Sequence, residues 1–167
     1  MKIQKLLVIV AISCLLLGVS SGAAMAEGCG DGLIQNETFD GNLRITDDSC
    51  TIIGSTIAGN LRVINSDYVV LINNRVGGNI RVDGNEGSDN VANVIANTVF
   101  GGRLVVKDLS VANVIENETL SKEDGNIRVI DNFSAVVQKN IAKKNLICEN
   151  TDTVSFFNFA GNKLNCE

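Results

Sequence analysis

Arginine recurs at one position of a short repeated phrase, and this recurrence is the feature of the sequence best suited to binding chemistry. The phrase is Gly-Asn-Leu-Arg-Ile at 41–45, and it returns with conservative changes at 59–63, 78–82 and 125–129. The arginines concerned are Arg44, Arg62, Arg81 and Arg128. If the repeats stack, the guanidinium groups form a column that can bind a polyanion such as an acidic polysaccharide. Alternatively, Asp and Glu at neighbouring corners neutralise the column while the arginine stems cover apolar surface.

Acidic and amide side chains form a second periodic set, six residues after the start of a phrase. Its members are Asp47, Asn65, Asp108, Asp131 and Asn150. Their oxygens can bind Ca²⁺, but they follow no nonapeptide calcium signature, and such residues also favour tight turns. We therefore expect turns here and leave the metal content open. Carboxylate pairs for glycoside hydrolysis can be drawn from Asp47, Asp48, Asp67 and Asp83.

Histidine is absent from the chain, which excludes Ser-His-Asp and Cys-His catalysis and every His-ligated metal site. Aromatic residues make up only 4%, with no Trp and one Tyr, so platforms for stacking sugar rings are scarce. Phe156, Phe157 and Phe159 crowd into the last repeat, and we expect them to plug the C-terminal end of the core.

Four cysteines follow the N-terminal apolar segment: Cys29, Cys50, Cys148 and Cys166. Four cysteines allow three pairings, but the members of two pairs are separated by about one repeat. Adjacent strands lie about 4.8 Å apart, which suits the Cα separation of about 4.4–6.8 Å in a disulfide. We predict Cys29–Cys50 and Cys148–Cys166, one at each end of the fold. A zinc site is the alternative, but no CxxC spacing supports it.

Internal repeats of 17 to 24 residues organise the chain. Weaker copies of the phrase begin at Gly102, Lys144 and Gly161. The third and fifth positions of the phrase are apolar and lie on one face of a strand, whereas arginine points the other way. A second apolar run falls in mid-repeat, as in 68–72 and 134–137, and Val-Ala-Asn-Val-Ile occurs at both 91–95 and 111–115. Three short strands per repeat predict an all-β, single-domain parallel β-helix of about seven turns.

Three further features follow from the repeat. A column of asparagines at the second position of the phrase predicts a hydrogen-bonded ladder: Asn42, Asn60, Asn79, Asn126, Asn145 and Asn162. An apolar column is expected two residues before the phrase: Phe39, Ile57, Val76, Phe100, Ala142 and Phe159. The polar segments 83–89 and 118–124 lengthen their repeats and are expected to be loops, either binding loops or tolerated insertions.

The N-terminal 26 residues have the features of a secretory signal peptide. Lys2 and Lys5 precede an apolar run, and 24–26 reads Ala-Met-Ala, a small-x-small cleavage site. Lipidation at Cys14 and an uncleaved anchor are the alternatives. Cleavage leaves a 27–167 domain and lowers the net charge from −5 to −7, because two lysines and no acid are lost. We expect a secreted, extracellular or cell-surface protein that binds no nucleic acid and does not insert in a membrane after cleavage.

The phrase, together with its endings Lys-Asn-Leu-Ile-Cys at 144–148 and Gly-Asn-Lys-Leu-Asn-Cys at 161–166, resembles secreted right-handed β-helix proteins of the pectate-lyase-like group. It is most similar to poorly characterised members with GNL-type repeats, over about residues 36–166. The resemblance implies a right-handed coil. It transfers no catalytic residue, because the calcium-binding and basic catalytic motifs of the lyases have no counterpart here.

These features favour a non-enzymatic structural or interaction module without a cofactor. Such a module would present its repeated face or its ends to a cell-surface polymer or to other copies, because the strands of the end turns have an unpaired edge. The alternative is a small polysaccharide-binding or lyase-like β-helix that uses the arginine column.

Overall fold

The computed structural model describes residues 25–46, 49–85 and 88–166. These ranges contain strands and turns but no helix. The strands, numbered along the chain, are β1 Met25–Glu27, β2 Leu33–Gln35, β3 Thr38–Phe39, β4 Asn42–Thr46, β5 Cys50–Ile53, β6 Thr56–Ile57, β7 Leu61–Ile64, β8 Tyr68–Ile72, β9 Arg75–Val76, β10 Ile80–Asp83, β11 Val91–Ile95, β12 Thr98–Val99, β13 Leu104–Lys107, β14 Val111–Ile115, β15 Glu118–Thr119, β16 Ile127–Ile130, β17 Ser134–Gln138, β18 Ile141–Ala142, β19 Asn145–Glu149, β20 Asp152–Phe156, β21 Phe159–Ala160 and β22 Lys163–Asn165.

These strands form three parallel sheets that run the length of a solenoid of about seven turns. Sheet A has the order β1-β4-β7-β10-β13-β16-β19-β22, sheet B β2-β5-β8-β11-β14-β17-β20, and sheet C β21-β18-β15-β12-β9-β6-β3. Each turn contributes one strand to each sheet, and every strand pairs with its equivalent in the next turn. The predicted all-β parallel β-helix is therefore confirmed.

The third and fifth positions of the repeated phrase form the core along sheet A, as expected. Leu43, Leu61 and Ile80 lie in register on neighbouring strands and are buried. Strict alternation along each strand sends these side chains inward and the residue between them outward. In sheet C, however, the inward position belongs to Val99 and not Phe100. The expected column is wrong at that point because four residues separate Val99 from Leu104, whereas three separate the equivalent Val76 and Ile80 one turn earlier.

The disulfides Cys29–Cys50 and Cys148–Cys166 are both present, with Cα separations of 5.8 and 4.8 Å. Each joins neighbouring turns near one end of the solenoid. The end turns are stabilised by only one neighbouring turn, so a cross-link there restrains the segments most prone to fraying.

The aromatic residues of the last turn do not plug the core. Phe157 is 82% exposed and Phe159 64% exposed. The reason is register: Ala160, not Phe159, pairs with the buried Ala142, so Phe159 occupies the outward position. Phe157 lies at a corner with a φ of 55°. The expected plug and the place of Phe159 in the inward column are both wrong.

The two insertions lie at different corners. The first follows β10, whose last residue is Asp83, and the second follows β15, so Glu118 and Thr119 belong to a strand and not to the loop. The first therefore lengthens the passage from sheet A to sheet B, and the second the passage from sheet C to sheet A.

Most of the expected signal segment, together with Cys14, lies outside the described residues. Its last two residues, Met25 and Ala26, form part of β1, which pairs with β4. In the part of the chain that the structure describes, no helix is long and apolar enough to span a membrane.

Candidate anion-binding groove

The arginines of the repeated phrase form a column on the outer face of sheet A. Arg44 pairs in register with Arg62, and Arg62 pairs with Arg81. Val105 interrupts the column before Arg128. The structure thus places three of the four arginines on consecutive turns, in the arrangement that the repeat predicts.

A groove of about 530 Å³ runs along this column. Its cationic lining consists of Arg44, Arg62, Arg81, Arg103, Lys107 and Arg128. Sequence reasoning did not single out Arg103 and Lys107, because they occur in the weakest copy of the phrase. The signal was nevertheless present, since Arg103 occupies the asparagine position of that copy and Lys107 directly follows its fifth position.

Asparagine amides line the groove beside the arginines. The Nδ2 of Asn60 donates to Oδ1 of Asn42 at 2.9 Å, and the Nδ2 of Asn79 donates to Oδ1 of Asn60 at 2.8 Å. This confirms the start of the expected ladder. Arg103 ends the run, and its backbone N–H donates to Oδ1 of Asn79.

The ladder resumes between Asn126 and Asn145 but does not extend to Asn162. Lys163, and not Asn162, is in register with Asn145. The expected position of Asn162 is therefore wrong by one residue, because the last copy of the phrase is shifted.

Glycine precedes the ladder asparagine because the backbone of one turn passes close to the amide of the turn before. A Cβ on Gly59 would lie 2.5 Å from Oδ1 of Asn42, and one on Gly78 would lie 2.5 Å from Oδ1 of Asn60. Such contacts are far inside van der Waals distance. The Gly-Asn pair of the phrase is thus a packing requirement of the groove wall.

Carboxylates neutralise part of the arginine column. The buried Asp83 accepts from Nε of Arg81 and lies 3.5 Å from a terminal nitrogen of Arg62. Asp108 pairs with Lys107, and Glu149 lies 3.0 Å from Arg128. Among the described residues, three carboxylates thus pair with groove cations, and the six cations of the lining outnumber them. The groove remains cationic within an acidic chain.

The Nε groups of Arg44 and Arg128 have different hydrogen-bonding environments. The Nε of Arg44 donates to the hydroxyl of Thr46 at 3.3 Å, within its own strand. The Nε of Arg128 is buried and makes no hydrogen bond among the described residues. A ligand oxygen cannot reach this buried Nε and would meet the terminal nitrogens of Arg128 instead, one of which bonds Glu149.

The second periodic set forms turns. Asn65, Asp108, Asp131 and Asn150 all have positive φ angles between 48° and 57°, the conformation that asparagine and aspartate tolerate best. Asp47 and Asp48 lie outside the described residues. Within the described ranges, no cluster of three or more Cys, Asp or Glu side chains has the arrangement of a metal site.

The carboxylates considered for hydrolysis are held in different environments. Asp83 is buried at the end of β10 and paired with arginine, whereas Asp67 is exposed in the turn between β7 and β8.

Comparison with protein-family models, with curated proteins and with solved structures gives no match to this chain.

Proposed function

We propose that this protein is a non-enzymatic, secreted β-solenoid that binds an anionic polysaccharide along the groove of sheet A. The observation that carries the proposal is the in-register stack of Arg44, Arg62 and Arg81 beside a ladder of asparagine amides. The stack offers one guanidinium group per turn of about 4.8 Å. A linear polymer with a carboxylate or sulfate at a comparable spacing would meet successive guanidinium groups.

The two side-chain types suit the two kinds of group on such a polymer. Guanidinium groups bind carboxylate and sulfate with two hydrogen bonds. Amides that are already aligned by the ladder can bond sugar hydroxyls without a further loss of side-chain entropy. The disulfides are compatible with an oxidising extracellular environment. Uronic-acid polymers are the first ligand class to test, because their carboxylates suit the guanidinium groups of the stack.

The experiment is a binding titration with polygalacturonate, alginate and heparin, with a neutral glucan as the uncharged probe, at several salt concentrations. We expect binding of at least one acidic polymer that weakens with added salt, because screening reduces the attraction. The double variant Arg62→Gln/Arg81→Gln should reduce the affinity about tenfold or more.

A matched control removes the same charge elsewhere. Lys139 and Lys143 lie outside the groove lining and are exposed, so Lys139→Gln/Lys143→Gln should leave most of the affinity intact. Equal losses in both double variants would show that only net charge matters, and unchanged binding in the arginine variant would remove the proposed site. Release of unsaturated product from a uronic-acid polymer, followed by absorbance, would replace the binding function with lyase activity.

A further inference from the structure

The outer face of sheet B is nearly free of charge along the whole solenoid. Most of its outward side chains are apolar, among them Leu33, Val70, Val91, Val111, Val136 and Val154. The outward side chains of the sheet that are not apolar are polar but neutral, except for Asp152 on the last strand. One in five residues of the chain is charged, so the near absence of charge on this face is a specific feature of the surface.

Isoleucine forms a continuous ridge along the edge of the face where the strands end. Ile53, Ile72, Ile95 and Ile115 lie in register on four consecutive strands. All four are half-buried, although they point away from the core. A regular ridge of branched side chains on a parallel sheet can interdigitate with an equivalent surface at the usual sheet-to-sheet distance of about 10 Å.

The polar groups at the centre of this face are already paired with one another. The Nδ2 of Asn113 donates to Oδ1 of Asn93 at 2.8 Å, and the Nδ2 of Asn93 donates to the hydroxyl of Tyr68 at 3.4 Å. Covering these groups therefore leaves fewer unmet hydrogen bonds than covering isolated amides would. The polar stripe is compatible with burial in an interface.

We propose that two copies of this protein associate face to face through the outer surface of sheet B. Strands of five residues at about 3.3 Å per residue, in seven turns about 4.8 Å apart, give a footprint of about 16 by 30 Å. Two copies together then cover about 1,000 Å², which is the lower limit for a specific interface. The dimer is therefore expected to be reversible and dependent on protein concentration.

A second copy fits this face better than the other occupants do. An anionic membrane would be attracted by lysine or arginine, and the outward positions of sheet B carry neither. End-to-end stacking is disfavoured at the C-terminal end, because Thr153 and Ser155 stand where the previous turn has Ala135 and Val137. In the face-to-face pair, the charges of this acidic protein stay at the periphery, and the groove of sheet A remains accessible.

The test is sedimentation equilibrium of the oxidised protein over a wide concentration range, with Ile95→Lys as the central variant. The wild type should approach twice the chain mass, and Ile95→Lys should remain monomeric because the pair would bury two like charges. Ile141→Lys provides the control, since Ile141 is an outward and exposed isoleucine of sheet C. It should dimerise as the wild type does.

Circular dichroism identifies a variant that fails to fold. In that case Val111→Lys takes the place of Ile95→Lys, because Val111 is outward and more exposed. A wild type that is monomeric at all concentrations would overturn the proposal, as would a larger assembly insensitive to both sheet B variants. Monomers that co-sediment with phosphatidylcholine vesicles would assign the face to lipid instead. The outcome does not depend on polysaccharide binding, because no glycan is present.

Discussion

Asn97 and Asn117 lie directly above one another in adjacent turns, and Oδ1 of Asn117 accepts from both the backbone N–H and the Nδ2 of Asn97 at 3.0 Å. The Nδ2 of Asn97 also donates to the carbonyl oxygen of Leu71 at 2.9 Å. The same pattern forms a second, buried ladder at the corner between sheets B and C. Its members are Ser55, Asn74, Asn97, Asn117, Asn140 and Asn158. All members except Asn158 are buried, so the ladder satisfies backbone groups on the inner side of the corner.

The buried ladder should be worth more to stability than the exposed one. Asn97→Ala leaves the backbone N–H of Asn74 and the carbonyl of Leu71 without those partners in the interior. We expect the free energy of unfolding to fall by about 3 kcal/mol. Asn60→Ala likewise removes the acceptor of a backbone N–H, that of Asn79, but in the exposed ladder. It should cost less than about 1 kcal/mol, because water can replace the amide. Denaturant unfolding of the two variants checks this, and equal losses would contradict it.

Gly78 should be intolerant of a methyl group because of its contact with Asn60. Gly78→Ala places a Cβ 2.5 Å from Oδ1 of Asn60 and 2.9 Å from the carbonyl oxygen of Gly59. We expect a loss of about 1–3 kcal/mol. In an Asn60→Ala background the loss should be smaller, because one of the two clashes is gone. A double-mutant cycle measures this coupling, and strictly additive losses would argue against the contact.

Ala96 occupies a backbone conformation that favours asparagine. Its φ of 54° matches that of its equivalent Asn73 one turn earlier, at 55°. Ala96→Asn should raise the free energy of unfolding by about 0.5–1 kcal/mol, because asparagine accepts the left-handed conformation at lower cost than alanine. Ala58→Asn, at an exposed position without a positive φ, is the control. Thermal melts of both variants distinguish a corner effect from a general effect of asparagine.

The two disulfides should protect opposite ends of the solenoid. Replacing Cys148 and Cys166 by serine opens a loop of 18 residues and should cost about 3 kcal/mol. The last turn should then lose protection in amide hydrogen exchange, whereas β11 and β14 in the middle stay protected. Replacing Cys29 and Cys50 should have the mirror-image effect at the N-terminal end. Loss of protection that spreads evenly along the chain in both variants would contradict local stabilisation.

Much of the candidate site was predictable because it lies on the most regular part of the repeat. The register of Arg44, Arg62 and Arg81 follows from counting residues between copies of the phrase. The pairing of Asp83 with both Arg62 and Arg81 could not be predicted by counting residues. Sequence reasoning assigned Asp83 to a loop, whereas the structure buries it at the end of β10 against Arg62 and Arg81.

The errors arise at the corners. At most corners after sheet A and after sheet B a left-handed residue interrupts the two-residue alternation, so the direction of the next side chain cannot be extrapolated from the strand before it. Asn97 therefore points inward and Phe159 points outward, and the alternation of the strand before each of them predicts neither direction. A corner that is one residue longer has the same effect at Phe100. At Asn162 the corner length is unchanged, and the Gly-Asn pair instead lies one residue earlier relative to its strand.

The sequence by itself determined the solenoid, its turn length, the core of sheet A and the pairing of the cysteines, because these depend on periodicity and on the fixed spacing of stacked strands. Only the tertiary structure decided which polar side chains are buried, which carboxylates meet the arginines and which apolar surface stays exposed. Those outcomes depend on how three sheets meet at their corners, where contacts join residues from different turns and local alternation no longer applies.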